Sequence, residues 1–147
     1  MNSIENKLTA LGLRLEPAKQ PVGNYIGCKQ VAGMLFVSGR VSELKGETGS
    51  TVSPEDAKQA AHDTVLLLLA IAKENIGDLD LIKGVIKMQG FIRSAPGFTE
   101  QPYVLDGASE LLIELFGEDG RHARTATGVN QLPFGAVLQL DIIFQLK

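Results

Sequence analysis

The chain has 147 residues, which is enough for one domain with a sizeable buried core and too few for two. Apolar residues make up 44% of it and charged residues 21%, a composition typical of a folded globular protein rather than a disordered one. The formal net charge is -3, and lysine and arginine form no block longer than a dipeptide. A nucleic-acid-binding surface needs clustered cations, so this charge pattern argues against nucleic acid as a partner.

Cysteine usage and the N-terminal sequence bear on location. Cys28 is the only cysteine, so no intrachain disulfide can form, and a lone thiol suits a reducing compartment. The first residues, MNSIENKLTALG, contain an early acidic residue and no apolar stretch typical of a secretion signal. The longest apolar run, Val65 to Ala72, is far shorter than the ~20 residues that cross a bilayer. We therefore expect a cytoplasmic protein without a membrane-spanning segment.

The first predicted element is a short helix. Ser3 can cap it, and Ile4, Leu8 and Leu11 fall at helical spacing before two prolines and a glycine interrupt the pattern. We treat residues 1–22 as an N-terminal helical extension of a single domain that spans residues 1–147.

A hairpin and a long helix follow. The segments NYIGCKQV and MLFVSGRV predict two strands, and Ala32 and Gly33 between them predict a tight turn. A polar, glycine-containing loop leads to a long helix with Ser53 as its N-cap, Pro54 at its first position and Gly77 at its end.

The second half of the chain predicts three strands and one helix. LIKGVIKMQGFIRS alternates, with Ile86, Met88 and Ile92 on one face. Its other face carries Val85, Lys87, Gln89, Phe91 and Arg93. After the APGF turn, YVLDGASELLIELF predicts a helix that ends at Gly117, and HARTATGVN and AVLQLDIIFQLK predict the last strands. The order β-β-α-β-α-β-β indicates an α+β domain of two layers, with both long helices on one face of a mixed sheet.

The sheet face opposite to these helices has a mixed character. In the last strand, the residues expected under the helices are Leu138, Leu140, Ile142, Phe144 and Leu146. The residues expected on the other face are Val137, Gln139, Asp141, Ile143 and Gln145. Together with Val85 and Phe91, this face is too apolar for simple exposure to water and too polar for a core. We therefore expect it to meet another subunit.

Arg124 stands in the middle of the strand HARTATGVN, among small and β-branched residues. A cleft between subunits would be a place of low dielectric for it, where its planar guanidinium pairs well with a carboxylate. Two interpretations stay open at this point. Arg124 either anchors a ligand or closes an ion pair with an acidic residue of the protein.

Several segments resemble one known family. GNYIGC, LFVSGR, APGF, LFGEDGRHARTATGV and LPFGAVLQLDIIF occur in the order and spacing of the RidA family, reactive intermediate deaminases also called YjgF or "endoribonuclease L-PSP". The resemblance covers nearly all of the chain from Gly23 and is closest to a subgroup with an N-terminal helix and a GASELL segment. It implies a chorismate-mutase-like fold, assembled as a homotrimer with ligand clefts between neighbouring subunits.

The resemblance also implies a site and an activity. Family members hydrolyse enamines such as 2-aminoacrylate, or the corresponding imines, to a 2-keto acid and ammonia, without a metal or cofactor. Its motifs place Tyr25, Ser38, Gly39 and Arg124 at the site, Arg124 as the anchor for the carboxylate of a small ligand. Phe91 is a further candidate for ligand contact, with packing at a subunit interface as the alternative.

Three positions depart from the family pattern. Gln139 stands where deaminating members carry a water-orienting glutamate, and it cannot accept a proton at neutral pH. Ser109 replaces an asparagine, and Ala126 replaces a cysteine found in some members. The candidate catalytic residues are Arg124, Gln139 and Tyr25, and the candidate substrate-binding residues are Arg124, Ser38, Gly39, Phe91 and Ser109. A non-catalytic binding or sensor protein is therefore the alternative, and a ribonuclease is less favoured because the charge is acidic and no His or Lys pair is poised for phosphodiester chemistry.

Overall fold

The computed structural model describes residues 3–147; Met1 and Asn2 lie outside that range. The helices are α1 (Ile4–Ala10), α2 (Pro54–Ile76) and α3 (Gln101–Phe116). The strands are β1 (Cys28–Val31), β2 (Met34–Val41), β3 (Ile82–Arg93), β4 (Ala123–Val129) and β5 (Leu138–Leu146). After α1, the order of these elements is the predicted β-β-α-β-α-β-β. None of the helices described is both long and apolar enough to span a bilayer.

The five strands form one sheet in the order β1-β2-β5-β3-β4. Strand β3 runs parallel to β4 and antiparallel to β5, so the sheet is mixed as predicted. Helix α2 packs over β2 and β5, and α3 packs over β3 and β4, which gives two layers. This confirms the predicted α+β architecture, in which β1 and β4 are the edge strands and the face of the sheet away from the helices, here called the outer face, is uncovered in the single chain.

Local signals set the ends of α2. The Ser53 hydroxyl accepts a hydrogen bond from the Asp56 amide, Pro54 opens the helix, and Gly77 ends it with a φ of 89°. These bounds are as predicted, because capping residues act on the backbone within one turn of their own position. Between α2 and α3 the packing is close at Gly107, where an added Cβ would lie 2.1 Å from the carbonyl oxygen of Lys58.

The core lies between the sheet and the two long helices. Its largest fully buried side chains are Phe144, Leu35, Leu68, Leu69, Leu79, Met88, Ile92, Leu105, Leu112, Leu115, Leu138 and Leu140. The predicted inward face of β5 is represented in this set by Leu138, Leu140 and Phe144. Burial of so many aliphatic side chains is the main term that stabilises the domain.

The predicted faces are wrong at two places. A bulge in β3 between Val85 and Lys87 shifts the alternation, so Val85 is buried under the helices while Ile86 is 36% exposed. A bulge adds one residue to the strand. The side chains that precede it therefore point to the opposite face from the one that simple alternation predicts. Val137 is also buried, because it precedes the first residue of β5 and does not follow the strand's alternation.

The N-terminal region differs in extent from the prediction. Ser3 caps α1 as expected, and Ile4 and Leu8 are buried, but Leu11 follows the helix and is exposed. Strand β1 begins at Cys28 rather than at the predicted start in NYIGCKQV. Immediately before it, Gly27 packs closely on α2, since an added Cβ would lie 2.9 Å from Cγ2 of Ile71.

Candidate functional site

Arg124 lies on the helix side of the edge strand β4. In the parallel register it is paired with Met88, which is fully buried beneath the helices, and its own side chain reaches along α3. Phe91 and Gln139, in contrast, pair with each other across β3 and β5 and face outward. Within one chain, Arg124 therefore starts from the opposite face of the sheet to these two candidates, and β4 and β5 are two strand spacings apart, roughly 10 Å.

The Arg124 guanidinium is held by residues of its own chain. Its Nη1 donates to Asp106 Oδ1 at 2.8 Å and to Ser109 Oγ at 3.1 Å, and its Nη2 donates to the Pro102 carbonyl at 3.3 Å. The side chains of Arg124 and Asp106 are 22% and 47% exposed, so this ion pair is partly open to solvent. Over residues 3–147, Nε of Arg124 makes no further hydrogen bond. The acidic partner weighed as an alternative is thus present, and Nε of the guanidinium stays available.

Ser109 is buried and belongs to a small network that ends at Arg124. Its hydroxyl lies 2.9 Å from Nε2 of His122, whose Nδ1 lies 2.6 Å from the Gly120 carbonyl. A carbonyl oxygen only accepts, so Nδ1 carries a proton, and in the neutral form of the ring Nε2 accepts from the Ser109 hydroxyl. Ser109 then presents its oxygen to Arg124. The buried Ser109 hydroxyl therefore orients the Arg124 guanidinium and does not face open space.

Sequence reasoning missed both Asp106 and His122. Two signals could have found them. His122 is two residues before Arg124, and this spacing puts both on one side of an extended chain. Asp106 and Ser109 are three residues apart, so they share one face of a helix.

Tyr25, Gly39 and Gln139 come together at a different place. All three line a cavity of about 370 Å³ between β2, α2 and the segment that precedes β1. Gly39 allows close contact, because an added Cβ would lie 3.2 Å from Nε2 of Gln139. Ser38 does not line the cavity; its hydroxyl donates to the Ile26 carbonyl at 2.6 Å and ties the segment before β1 to β2.

Asp141 is a further titratable group on the outer face, two residues beyond Gln139. It pairs with Gln89 across β3 and β5, two positions along the strands from the pair of Phe91 and Gln139. Burial raises the pKa of the Asp141 carboxyl, with a smaller opposing effect of the Lys87 charge. Its position on the outer face follows from the strand's alternation, but the raised pKa depends on its surroundings in the fold.

Arg40, at the end of the LFVSGR segment, is the second guanidinium near the candidate residues. Its Nη1 donates to the Tyr25 hydroxyl and to the Gly39 carbonyl, both at 3.1 Å. The centroid of the Tyr25 ring lies 5.4 Å from Arg40 Cζ. Nε and Nη2 of Arg40 are buried and have no hydrogen-bond partner among the described residues. Arg40 also lowers the pKa of Cys28, but burial dominates and raises it to about 11, so the thiol stays protonated.

The side chains that usually bind metal ions do not cluster in the described part of the chain. Among residues 3–147, no group of three His, Cys, Asp or Glu side chains has an arrangement that could hold a metal ion.

Comparison with known proteins identifies relatives that match nearly the whole chain. The model of the family described as "YjgF/chorismate_mutase-like, putative endoribonuclease" matches residues 5–145. Protein TCP17 of Trypanosoma cruzi is 38% identical over 147 aligned positions, which cover 95% of this chain and 92% of TCP17.

Two solved structures are also close. The protein Atu1372 of Agrobacterium tumefaciens, of unknown function, has a TM-score of 0.91 and 37% identity and covers 98% of this chain and 92% of its own. A putative endoribonuclease of Shewanella oneidensis has a TM-score of 0.94 and 30% identity, with coverage of 99% and 100%. These matches span the sheet, both long helices and all the candidate residues, and the chain therefore belongs to the YjgF/chorismate mutase-like family.

Proposed function

We propose that this protein binds a small carboxylate-bearing metabolite, an enamine or imine of a 2-keto acid, in clefts between the subunits of a homotrimer. The observation that carries the proposal is the state of Arg124. Three hydrogen bonds fix its guanidinium at an edge strand, and Nε is left without a partner among the described residues. A guanidinium that is fixed in advance loses little freedom when it binds a carboxylate.

A solved relative of the same fold holds a small amino acid. The structure of E. coli TdcF was determined with bound serine; it has a TM-score of 0.61 and 18% identity and covers 88% of this chain and 94% of TdcF. Serine carries a carboxylate beside an amine, as the proposed ligands carry a carboxylate beside an enamine or imine nitrogen. At this identity the likeness concerns the fold, and the carry-over to Arg124 is part of the proposal.

The placement of the candidates supports a site shared by two chains. Arg124 and Ser109 lie on the helix side of β4, whereas Phe91 and Gln139 lie on the outer face. A small ligand cannot touch both groups within one chain, because the sheet separates them. If the β4 edge of one subunit meets the outer face of the next, the anchor and the polar groups face the same cleft.

Hydrolysis in such a cleft has a simple balance. Water adds to the imine carbon, the carbon-nitrogen bond breaks, and the products are the 2-keto acid and ammonia. Positioning of the substrate by Arg124 and polarisation of the imine would supply most of the rate. Gln139 cannot take the proton from water, but Asp141 is a carboxyl group on the same face with a raised pKa, so it is the group in this chain best suited to hold that proton.

Binding without turnover is the second candidate function, and Gln139 is the observation that favours it. A ribonuclease has less support from the side chains. His62 is engaged with Gln59 and Asp63, and His122 with Ser109 and Gly120, so the two histidines do not form a pair for phosphodiester chemistry.

The test measures ammonia release from 2-aminoacrylate generated in the assay. We expect the wild-type protein to accelerate release, Arg124→Met to abolish the acceleration, and Asp141→Asn to reduce it at least tenfold. The matched control is Arg121→Met, which removes an exposed guanidinium paired with Glu118 and should leave the rate unchanged. A wild-type rate equal to the uncatalysed one, with a melting temperature that still rises with 2-oxobutyrate, would leave only the binding function. Failure of both would overturn the proposal.

A further inference from the structure

His122 lies one residue before β4 and connects this strand to α3. Its Nε2 is 2.9 Å from the Ser109 hydroxyl oxygen, and its Nδ1 is 2.6 Å from the Gly120 carbonyl oxygen. The Ser109 hydroxyl in turn accepts a hydrogen bond from Nη1 of Arg124 at 3.1 Å. His122 therefore reaches the guanidinium of Arg124 through a single side chain.

Close packing fixes the far end of this series of hydrogen bonds. The 3₁₀ turn Gly117–Gly120 lies against α3, and an added Cβ at Gly120 would be 2.4 Å from the Leu112 carbonyl oxygen. Gly120 is buried, so its carbonyl has little access to water as an alternative partner. This carbonyl is thus a fixed acceptor, and it keeps a proton of the His122 ring on Nδ1.

The order of donors and acceptors then follows along the whole series. Because Nδ1 donates to Gly120, Nε2 of the neutral ring accepts the proton of the Ser109 hydroxyl. A hydroxyl has a single proton, so Ser109 turns its lone pairs to Arg124, which can only donate. Each bond in such a series polarises the next. Without an acceptor at Nε2, the hydroxyl proton is free to turn towards the guanidinium, and the contact with Arg124 is lost.

Of the three partners of Arg124, Ser109 is the one best shielded from water. Its exposed fraction is 8%, whereas the Asp106 side chain is 47% exposed and the Pro102 carbonyl accepts at a longer 3.3 Å. Ion pairs at exposed positions contribute little, because solvent screens the two charges. The contact with Ser109 is therefore the one least open to competition from water.

The orientation of the guanidinium decides which donors are left for a ligand. Both N–H groups of Nη1 are used, by Asp106 and Ser109, and Pro102 takes one of the two on Nη2. The Nε–H and one N–H of Nη2 remain, as donors on neighbouring nitrogens. A guanidinium without Ser109 presents these donors in several directions, and this freedom lowers its affinity for a carboxylate.

We propose that His122 is a positioning residue for the carboxylate site at Arg124. It takes the proton of the Ser109 hydroxyl at Nε2 and so keeps Arg124 in the orientation that binds the carboxylate, without touching the ligand itself. This role rests on the proposed carboxylate binding by Arg124. The control of the guanidinium by His122, however, can be measured without any ligand.

Three substitutions of His122 separate the contact at Nε2 from the packing of the ring. His122→Phe keeps a ring and removes both nitrogens. His122→Gln places an amide near the position of Nε2, where its oxygen can accept from Ser109, whereas His122→Asn reaches only the position of Nδ1. The matched control is His62→Phe, which removes an imidazole of α2 that is engaged with Gln59 and Asp63.

The first measurement is calorimetric titration of the full chain with 2-oxobutyrate. We expect the affinity to fall about fivefold or more for His122→Phe and His122→Asn, and to return to within about twofold of wild type for His122→Gln. The affinity of His62→Phe should equal that of wild type. Equal losses for all three His122 variants would make His122 a packing residue and overturn the proposal. If His122→Phe does not fold, the comparison of His122→Gln with His122→Asn decides.

The second measurement is made without ligand. The Nε–H group of Arg124 gives a proton–nitrogen NMR signal, assigned by its loss in Arg124→Met, and its exchange with water reports how firmly the side chain is held. We expect exchange about fivefold faster in His122→Phe and His122→Asn, and within about twofold of wild type in His122→Gln. Unchanged exchange in His122→Phe and His122→Asn would overturn the proposal even if 2-oxobutyrate binds. No binding of 2-oxobutyrate by wild type would overturn the carboxylate site itself, whereas the NMR signal still decides whether His122 controls Arg124.

Discussion

Two of the five arginines of this fold, Arg124 and Arg40, have very different hydrogen-bond partners. Arg124 has a carboxylate, a hydroxyl and a carbonyl within hydrogen-bonding distance, all contributed by α3. Arg40 has only neutral partners, and two of its nitrogens are buried without any. Arg124 is thus held in place with its Nε left for a ligand, whereas the fold leaves two nitrogens of Arg40 without hydrogen-bond partners among the described residues.

The comparison shows that the arginine identified by a family motif need not be the arginine that lacks an acidic partner. The resemblance points to Arg124, but the nearest uncompensated cation to Tyr25 and Gly39 is Arg40. Four substitutions test how far the two regions differ, with the largest effect expected for Gly107→Ala and the smallest for Asp141→Asn.

Gly107→Ala should disturb the Arg124 region most. An added Cβ would lie 2.1 Å from a backbone oxygen of α2, so α3 must move away, and Asp106 and Ser109 move with it. Within a helix, glycine to alanine normally stabilises by ~1 kcal/mol, so a loss would identify the clash. We expect the free energy of unfolding to fall by about 3 kcal/mol, measured by urea denaturation.

The matched control for this change is Glu114→Ala, at an exposed position of the same helix. Its effect should stay within about 0.5 kcal/mol. Stabilisation by Gly107→Ala would contradict the close approach of α2 and α3 and, with it, the described support of Asp106.

Local signals account for what the sequence could predict of the fold. The bounds of α2 follow from Ser53, Pro54 and Gly77, and the Ala32-Gly33 turn, with positive φ at both residues, ends β1 where the hairpin pattern requires. The errors came from effects at a distance. The bulge in β3 and the close packing of Gly27 on α2 depend on neighbours more than 40 residues away, which composition and periodicity do not reveal.

For the candidate site, too, the sequence predicts what local motifs determine and misses what depends on contacts between distant residues. Tyr25, Gly39 and Gln139 share a cavity, and the motifs that predicted them sit on neighbouring strands or lead into them. The ion pair of Arg124 with Asp106 and the lack of one at Arg40 depend on which side chains face each other in the folded chain. Those facts required coordinates, because a charge pattern along the sequence does not specify its partners in space.

Arg124→Met and Arg40→Met should change stability in opposite directions. Loss of Arg124 leaves Asp106 and Ser109 without their donor, and we expect a decrease of about 1 kcal/mol in the free energy of unfolding. Loss of Arg40 removes two buried nitrogens that have no partner and puts an apolar chain of similar length in their place, so we expect an increase of about 1 kcal/mol. Thermal melts without ligand measure both, and a decrease of equal size for Arg40→Met would show that its charge is compensated after all.

Asp141→Asn should give the smallest effect, and its sign depends on pH. Burial raises the pKa of this carboxyl in the folded state above its ordinary value of 3.8, so the folded state holds the proton more tightly than the unfolded state. As the pH rises through the window between these two pKa values, the wild-type protein loses stability, because the fold must then contain the charge. At neutral pH the asparagine variant should be more stable by less than about 1 kcal/mol, since the carboxylate is partly exposed and solvent screens it. Urea unfolding between pH 3 and 8 measures the difference, which should vanish below the ordinary pKa. A difference that grows towards acid pH would mean that the folded state lowers this pKa, and Asp141 would then be unsuited to hold the proton of the attacking water.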